Sequence, residues 1–309
     1  MAAPARKIVL HEVGPRDGLQ MEPQVVPTEQ KLRWIRSLIA SGVDAVQVGS
    51  FVHPEKVPQM ADTDRLFADL RDERRAGVVL SALVLNERGL ERALAAGVDL
   101  LCMGVSASET HSRKNTGMGI TEATERIVGI ARRALDAKRR VQVSVQSAFG
   151  CGYEGPVPEE RVLALVARFL DEGLTSLSLA DTAGHALPDR VEHLFGELLA
   201  AQPGVEAACH FHDTYGLALA NCWAAYGAGV TSFESSVAGL GGCPFTKIAG
   251  GNTCTEDFVH MLQGMGVRHD VKLELLCEVA ADVARFFGRE LPGTVYRTGT
   301  IAQATGGHA

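Results

Sequence analysis

Residues 39–46, Ile39-Ala40-Ser41-Gly42-Val43-Asp44-Ala45-Val46, close one element and open another, and the arrangement returns three times. Residues 94–101 read LAAGVDLL, residues 170–177 read LDEGLTSL and residues 226–233 read YGAGVTSF. A glycine just past a helix can adopt the left-handed conformation that ends it, after which the chain starts an apolar strand. Gly42, Gly97, Gly173 and Gly229 therefore mark four helix-to-strand junctions. Four further apolar runs lie between them, at residues 8–13, 78–85, 141–146 and 205–212. Helical spacing is found over 29–40, 87–95, 122–137, 159–171, 189–201 and 218–226, and more weakly over 58–71. Eight strands alternating with helices imply parallel pairing, and eight repeats close a barrel. The expected fold class is α/β, a (β/α)8 TIM barrel over about residues 7–252, with the glycine junctions opening strands two, four, six and eight. An open doubly wound sheet is the alternative, but no Gly-rich dinucleotide loop follows the first strand. Residues 253–288 read as two helices packed on the barrel, and 297–309 as a frayed tail. The whole chain, 1–309, is expected to be one catalytic domain.

Composition limits the functions available. The 309 residues are 46% hydrophobic and 22% charged, with a formal net charge of −7. Overall repulsion of polyanions argues against nucleic acid and anionic membranes as partners, while a small anionic substrate can still be held by local cations. The longest largely apolar run, 78–85, is far too short to span a bilayer. The opening MAAPARK has no apolar core of a secretory signal. Seven cysteines, an odd number without a CxxC pair, fit a reducing compartment. A cytoplasmic location is expected. A homodimer is common for such barrels, though nothing in the sequence marks a dimer surface.

In a barrel of this kind the chemistry sits where strands end. His210-Phe211-His212 stands at the end of strand seven, and side chains two apart on a strand share a face. Two imidazoles on the barrel axis are an incipient metal site, or else two barrel-lining histidines bonded to neighbours. Asp17, in Gly14-Pro15-Arg16-Asp17-Gly18, follows strand one, which adjoins strand eight in a closed barrel. Asn252 arrives from the Gly-rich segment after strand eight. Asp17, His210, His212 and Asn252 form a mixed N/O set carrying one formal negative charge, so a divalent ion among them would keep its Lewis acidity. Four protein ligands suit octahedral Mg²⁺ or Mn²⁺ with two positions open, and zinc ranks below them.

These segments resemble one family. HEVGPRDGLQ (11–20), GSFV (49–52), VPQM (57–60), SASE (106–109), ADTAG (180–184), HFHDTYG (210–216) and VAGLGGCPF (237–245), followed by Gly251-Asn252, are similar to the hydroxymethylglutaryl-CoA lyases. That family belongs to the metallolyase and Claisen-synthase barrels named for an Asp, an Arg and a Glu. The resemblance implies that Asp17, His210, His212 and Asn252 hold the metal and that Arg16 is the essential arginine. It implies a reactive Cys243 on a mobile glycine loop, a catalytic Asp181, and Ser50, Asn115, Ser178 and Thr182 near substrate. From the residues alone Cys243 also reads as a small buried side chain at a turn. Lys56, Arg113, Lys114 and Lys247 are candidates for the phosphates of CoA, or plain surface charge.

One position departs from the pattern. The family's signature glutamate at the end of strand two is Gln47 here, which keeps hydrogen-bonding reach but neither charge nor basicity. The implied activity is metal-dependent cleavage of an acyl-CoA, 3-hydroxy-3-methylglutaryl-CoA to acetyl-CoA and acetoacetate. The added positive charge leaves citramalyl-CoA, or another 3-hydroxyacyl-CoA, as an alternative. A metal-binding, CoA-binding pseudoenzyme is the non-catalytic alternative.

Overall fold

The computed structural model describes residues 8–73, 77–242 and 250–301. Eight parallel strands close into a barrel in sequence order: β1 (Val9–Glu12), β2 (Ala45–Ser50), β3 (Val79–Leu83), β4 (Leu100–Ser106), β5 (Arg140–Gln146), β6 (Ser176–Asp181), β7 (Glu206–Phe211) and β8 (Ser232–Ser235). The helices are α1 (Thr28–Ser41), α2 (Thr63–Asp69), α3 (Glu87–Ala96), α4 (Glu109–Thr116), α5 (Ile120–Asp136), α6 (Glu159–Asp171), α7 (Pro188–Ala201), α8 (Ala218–Ala228), α9 (Thr255–Gly264), α10 (Leu273–Phe287) and α11 (Val295–Thr298). The four glycine junctions lie where the sequence puts them. Gly42, Gly97, Gly173 and Gly229 take φ of 98°, 72°, 75° and 117°, a region costly for any residue with a Cβ.

The strands alternate. Val141, Val143 and Val145 of β5 face the helices and are buried, while Gln142, Ser144 and Gln146 face the barrel interior. Closure is made by β1 and β8, with Val9 opposite Ser232 and Glu12 opposite Ser235. Outside the sheet, the Phe149 and Phe211 rings pack at 5.8 Å, with Phe195 edge-on to Phe211 at 6.4 Å. α10 packs on α1, where the Trp34 indole donates to Asp282 at 2.7 Å and meets Phe286 edge-on at 5.4 Å.

Some boundaries differ from the sequence reading. The weak pattern at 58–71 resolves into a 3-10 turn (Pro58–Met60) and the short α2, because Asp62 and Thr63 start a new helix. The stretch around Asn115, outside the helices expected from the sequence, is α4; the Ser108 hydroxyl caps it by accepting the His111 N–H at 3.1 Å. The start of the expected tail contributes α11. No helix among the described residues is long and apolar enough to cross a membrane.

Two fully buried carboxyls tie the end of β8 to its surroundings. Glu12 Oε1 accepts the N–H groups of Gly14 and Val237 at 2.7 and 2.9 Å, and Oε2 accepts the Thr255 hydroxyl at 2.6 Å. Glu256 Oε2 accepts the Ala238 N–H at 3.0 Å, and its Oε1 has no partner among the described residues. Burial pushes Glu256 from its ordinary 4.5 up to about 8. The unfolded chain ionises this group near 4.5, whereas the folded protein keeps it neutral until about pH 8. Its contribution to stability is therefore full at acidic pH, falls as pH rises through that window, and is flat above it. Thermal melts of wild type and Glu256→Gln should show the wild type losing several degrees relative to the variant between about pH 5 and 9. A constant difference across that range would contradict a neutral buried Glu256.

Candidate metal centre and active-site cavity

A short π-helical turn over Gly14–Gly18 follows β1 and aims Arg16 and Asp17 at the barrel axis. Pro15 sits at its start, where a missing N–H costs nothing. From β7, His210 and His212 project to the same point, with their Nε2 atoms 3.2 Å apart. Asp17 Oδ2 lies 3.9 Å from His210 Nε2. Among the described residues these three form the one carboxylate–imidazole cluster whose ligand atoms all fall within 4.8 Å of one another.

The cluster fits a divalent cation. Neighbouring ligands about 2.1 Å from a common octahedral ion stand about 3 Å apart, close to the separation of the two imidazole nitrogens. Two ring nitrogens facing each other otherwise need a shared proton. His212 is held neutral at about 4, by burial first and then by the positive neighbour His210. Asn252 is delivered by an antiparallel bridge to His212. Its amide donates to Asp17 Oδ2 and to the Leu240 carbonyl, each at 2.9 Å, while its buried Oδ1 has no partner among the described residues. That orphaned oxygen is the donor a fourth ligand needs.

Behind the ligands stand groups that orient them. His210 Nδ1 lies 3.0 Å from Glu234 Oε2 on the neighbouring β8, and His212 Nδ1 lies 3.2 Å from the Gly250 carbonyl. Each contact directs the other ring nitrogen, Nε2, toward the cluster. Burial works against a charged Asp17, but Arg16, the two histidines and Asn252 together hold its carboxyl down at about 2. The Arg16 guanidinium donates through Nη1 to Asp17 and through Nε to Gln47 Oε1. Gln47 reaches it from an irregularity in β2, where the register shifts between Gln47 and Gly49.

A cavity of about 940 Å³ opens above this cluster. It is lined by Arg16, Asp17, Gln47, His210 and His212, with Lys56, Asn115 and Thr182 nearer the rim. Thr182 also accepts the Ser147 N–H at 2.9 Å through its hydroxyl. Other expected residues lie elsewhere. Ser50 and Ser178 are fully buried and do not line the cavity, their hydroxyls without partners among the described residues. Asp181 is turned from the cavity; its oxygens accept the N–H groups of His185 and Ala186 at 2.8 and 3.0 Å and pin the loop after β6. Burial raises it to about 6 despite those bonds. Arg113 pairs with Glu109 at 2.6 Å, and Lys114 lies over the Tyr153 ring. Cys243 and Lys247 lie outside the described residues. Sequence reasoning missed Glu234, Gln142, Ser144 and Gln146; period-two alternation along β5 points to the last three, whereas Glu234 is found only through its register opposite His210 on β8.

Comparison with known proteins places the chain in one family. The HMGL-like family model matches residues 7–283. A hydroxymethylglutaryl-CoA lyase of Bacillus subtilis is 41% identical over 287 residues, 93% of this chain and 95% of that one. A 3-hydroxy-3-isohexenylglutaryl-CoA/hydroxymethylglutaryl-CoA lyase of Pseudomonas aeruginosa is 39% identical over 92% of this chain and 94% of its own. Among solved structures, an HMG-CoA lyase from Acinetobacter baumannii, in complex with coenzyme A and 3-methylmalate, superposes with a TM-score of 0.92. It is 34% identical, covering 97% of this chain and 98% of that one. The chain belongs to the HMGL-like family.

Proposed function

We propose that this protein is a divalent-metal-dependent carbon–carbon lyase that cleaves 3-hydroxy-3-methylglutaryl-CoA to acetyl-CoA and acetoacetate. The observation that carries the reading is the convergence of Asp17, His210, His212 and the orphaned Asn252 oxygen beside Arg16 at a cavity of about 940 Å³. The names of its near full-length relatives support the substrate. The all-N/O donor set favours Mg²⁺ or Mn²⁺.

A bound divalent ion would supply Lewis-acid polarisation of the substrate's hydroxyl and a neighbouring oxygen. The side chains perform the rest. As the hydroxyl proton passes to solvent in the cavity, the O–H electron pair forms the ketone of acetoacetate, and the carbon–carbon bond pair passes to acetyl-CoA as its enolate. Arg16, which lines the cavity, offsets the developing negative charge. Cys243, matched by resemblance alone, is assigned the proton that completes acetyl-CoA. Asp181 acts through the loop that carries Thr182. Lys56 and Asn115, nearer the rim, are placed for the CoA portion.

Gln47 favours a second reading. It accepts from Arg16 without neutralising it, so Asp17 is the carboxylate that Arg16 meets. A more positive site suits citramalyl-CoA, whose hydroxyl and a carboxylate share one carbon and which would release pyruvate with acetyl-CoA. The 3-methylmalate in the Acinetobacter baumannii relative is likewise a hydroxy acid.

Incubation with Mg²⁺ and hydroxymethylglutaryl-CoA should release acetoacetate, and both chelation and His210→Ala should reduce the rate by about a hundredfold or more. Pyruvate from citramalyl-CoA without acetoacetate would replace the first substrate with the second. No product from either, despite metal binding, would contradict lyase function. Calorimetric titration of Glu234→Gln with Mn²⁺ should show affinity about tenfold or more weaker than wild type, because the carboxylate no longer orients His210. Equal affinity would remove Glu234 from the metal site.

A further inference from the structure

The interior of an eight-stranded barrel is ordinarily filled by layers of branched apolar side chains. One wall of this cavity is different. Gln142, Ser144 and Gln146, at alternate positions of β5, all line it. β5 stands across the barrel from β1, the strand that delivers Arg16 and Asp17. The three side chains have little protein to bond to. Gln142 Oε1 meets only the Cys102 thiol, at 3.6 Å, and the side chains of Ser144 and Gln146 have no hydrogen-bond partner among the described residues. The fold also makes room for Gln146. Gly104 lies beside it on β4, where a Cβ would stand 2.8 Å from Gln146 Nε2. A glycine inside a strand costs about 0.5–1 kcal/mol, so this one marks a close approach that the site uses.

We infer that this β5 wall is a subsite for the substituent on the substrate's carbinol carbon, and that it selects a neutral hydrogen-bonding group there over a purely apolar one. The inference rests on the lyase reading and goes beyond it, since hydroxymethylglutaryl-CoA, with a methyl there, would be cleaved less well than a compound that bonds to this wall. A substrate held between the metal cluster and Arg16, with its CoA portion leaving past Lys56 on the β2 side, presents its remaining substituent to β5. Carboxamides and a hydroxyl both donate and accept, so they complement a hydroxyl, ketone or amide. An alkyl group would leave them unpaired, which costs about 1–3 kcal/mol for a buried group such as Gln142 and less for the partly exposed Ser144 and Gln146. A carboxylate calls for a cation, and none stands among Gln142, Ser144 and Gln146. Sites that hydrogen-bond part of a substrate reject analogues lacking it far more strongly than apolar pockets reject an extra methylene.

The test compares hydroxymethylglutaryl-CoA with its analogue carrying hydroxymethyl in place of the methyl. Both are assayed with Mg²⁺ on wild type, Gln146→Met and Ser144→Ala, with circular dichroism to verify folding. Wild type should favour the hydroxymethyl compound by about tenfold in kcat/KM, mainly through KM. Gln146→Met should bring the ratio close to one, and Ser144→Ala should move it in the same direction. Cleavage of both compounds without preference, or a ratio that survives both substitutions, would overturn the subsite and leave the lyase reading intact. Calorimetric binding to Arg16→Met with Mg²⁺ separates the two ideas. Tighter binding of the hydroxymethyl compound there would sustain the subsite even if wild type cleaved neither, and equal binding would end it.

Discussion

Closure of the sheet between β1 and β8 is the constraint on which the site depends. Pairing Val9–Glu12 with Ser232–Ser235 brings the turn after β1 beside β7 and β8, so that Asp17 and His210 approach to 3.9 Å. Glu12 strengthens that seam from outside the barrel by accepting N–H groups on both sides of it. The Asn252 segment runs beside the ends of β7 and β8, held by Asp213 N–H to the Gly251 carbonyl at 2.7 Å, Thr253 N–H to the Phe211 carbonyl at 3.0 Å and Ser236 N–H to the Thr253 carbonyl at 2.8 Å. An open sheet made from the same strands would leave Asp17 and the histidines on separate edges.

Within that frame, charge is arranged in opposition. Arg16 and Asp17 lie side by side in sequence and are bonded to each other, which holds the arginine at the cluster while the carboxylate faces the histidines. Glu234 and His210 form a second pair one strand away, and the carboxylate draws the imidazole proton away from the cluster. Gln47 adds reach without charge. The facing wall of β5, with Gln142, Ser144 and Gln146, is polar and neutral.

Much of this was legible in the chain. Four glycine junctions revealed the repeat because only a residue without Cβ ends those helices cheaply, and the HxH spacing on a strand put both imidazoles of the candidate cluster on one face. The PRDG turn and Asn252 needed the barrel hypothesis to become neighbours. Other features were hidden for physical reasons. Asp181 carries a motif, yet its carboxylate is spent on backbone N–H groups, which spacing cannot reveal. Helix α4 was obscured by a polar sequence with little apolar periodicity and is set by the Ser108 cap. The β5 wall alternates with valines and resembles an ordinary strand until the barrel shows which face looks inward.

The central claim is that two imidazoles and one carboxylate converge on a single divalent ion. Pulsed electron paramagnetic resonance of the Mn²⁺-loaded protein, prepared with isotope-labelled histidine, reads this directly. The account predicts modulation from two directly coordinated histidine nitrogens, reduced to one in His212→Ala. A Mn²⁺ signal free of histidine coupling would contradict it.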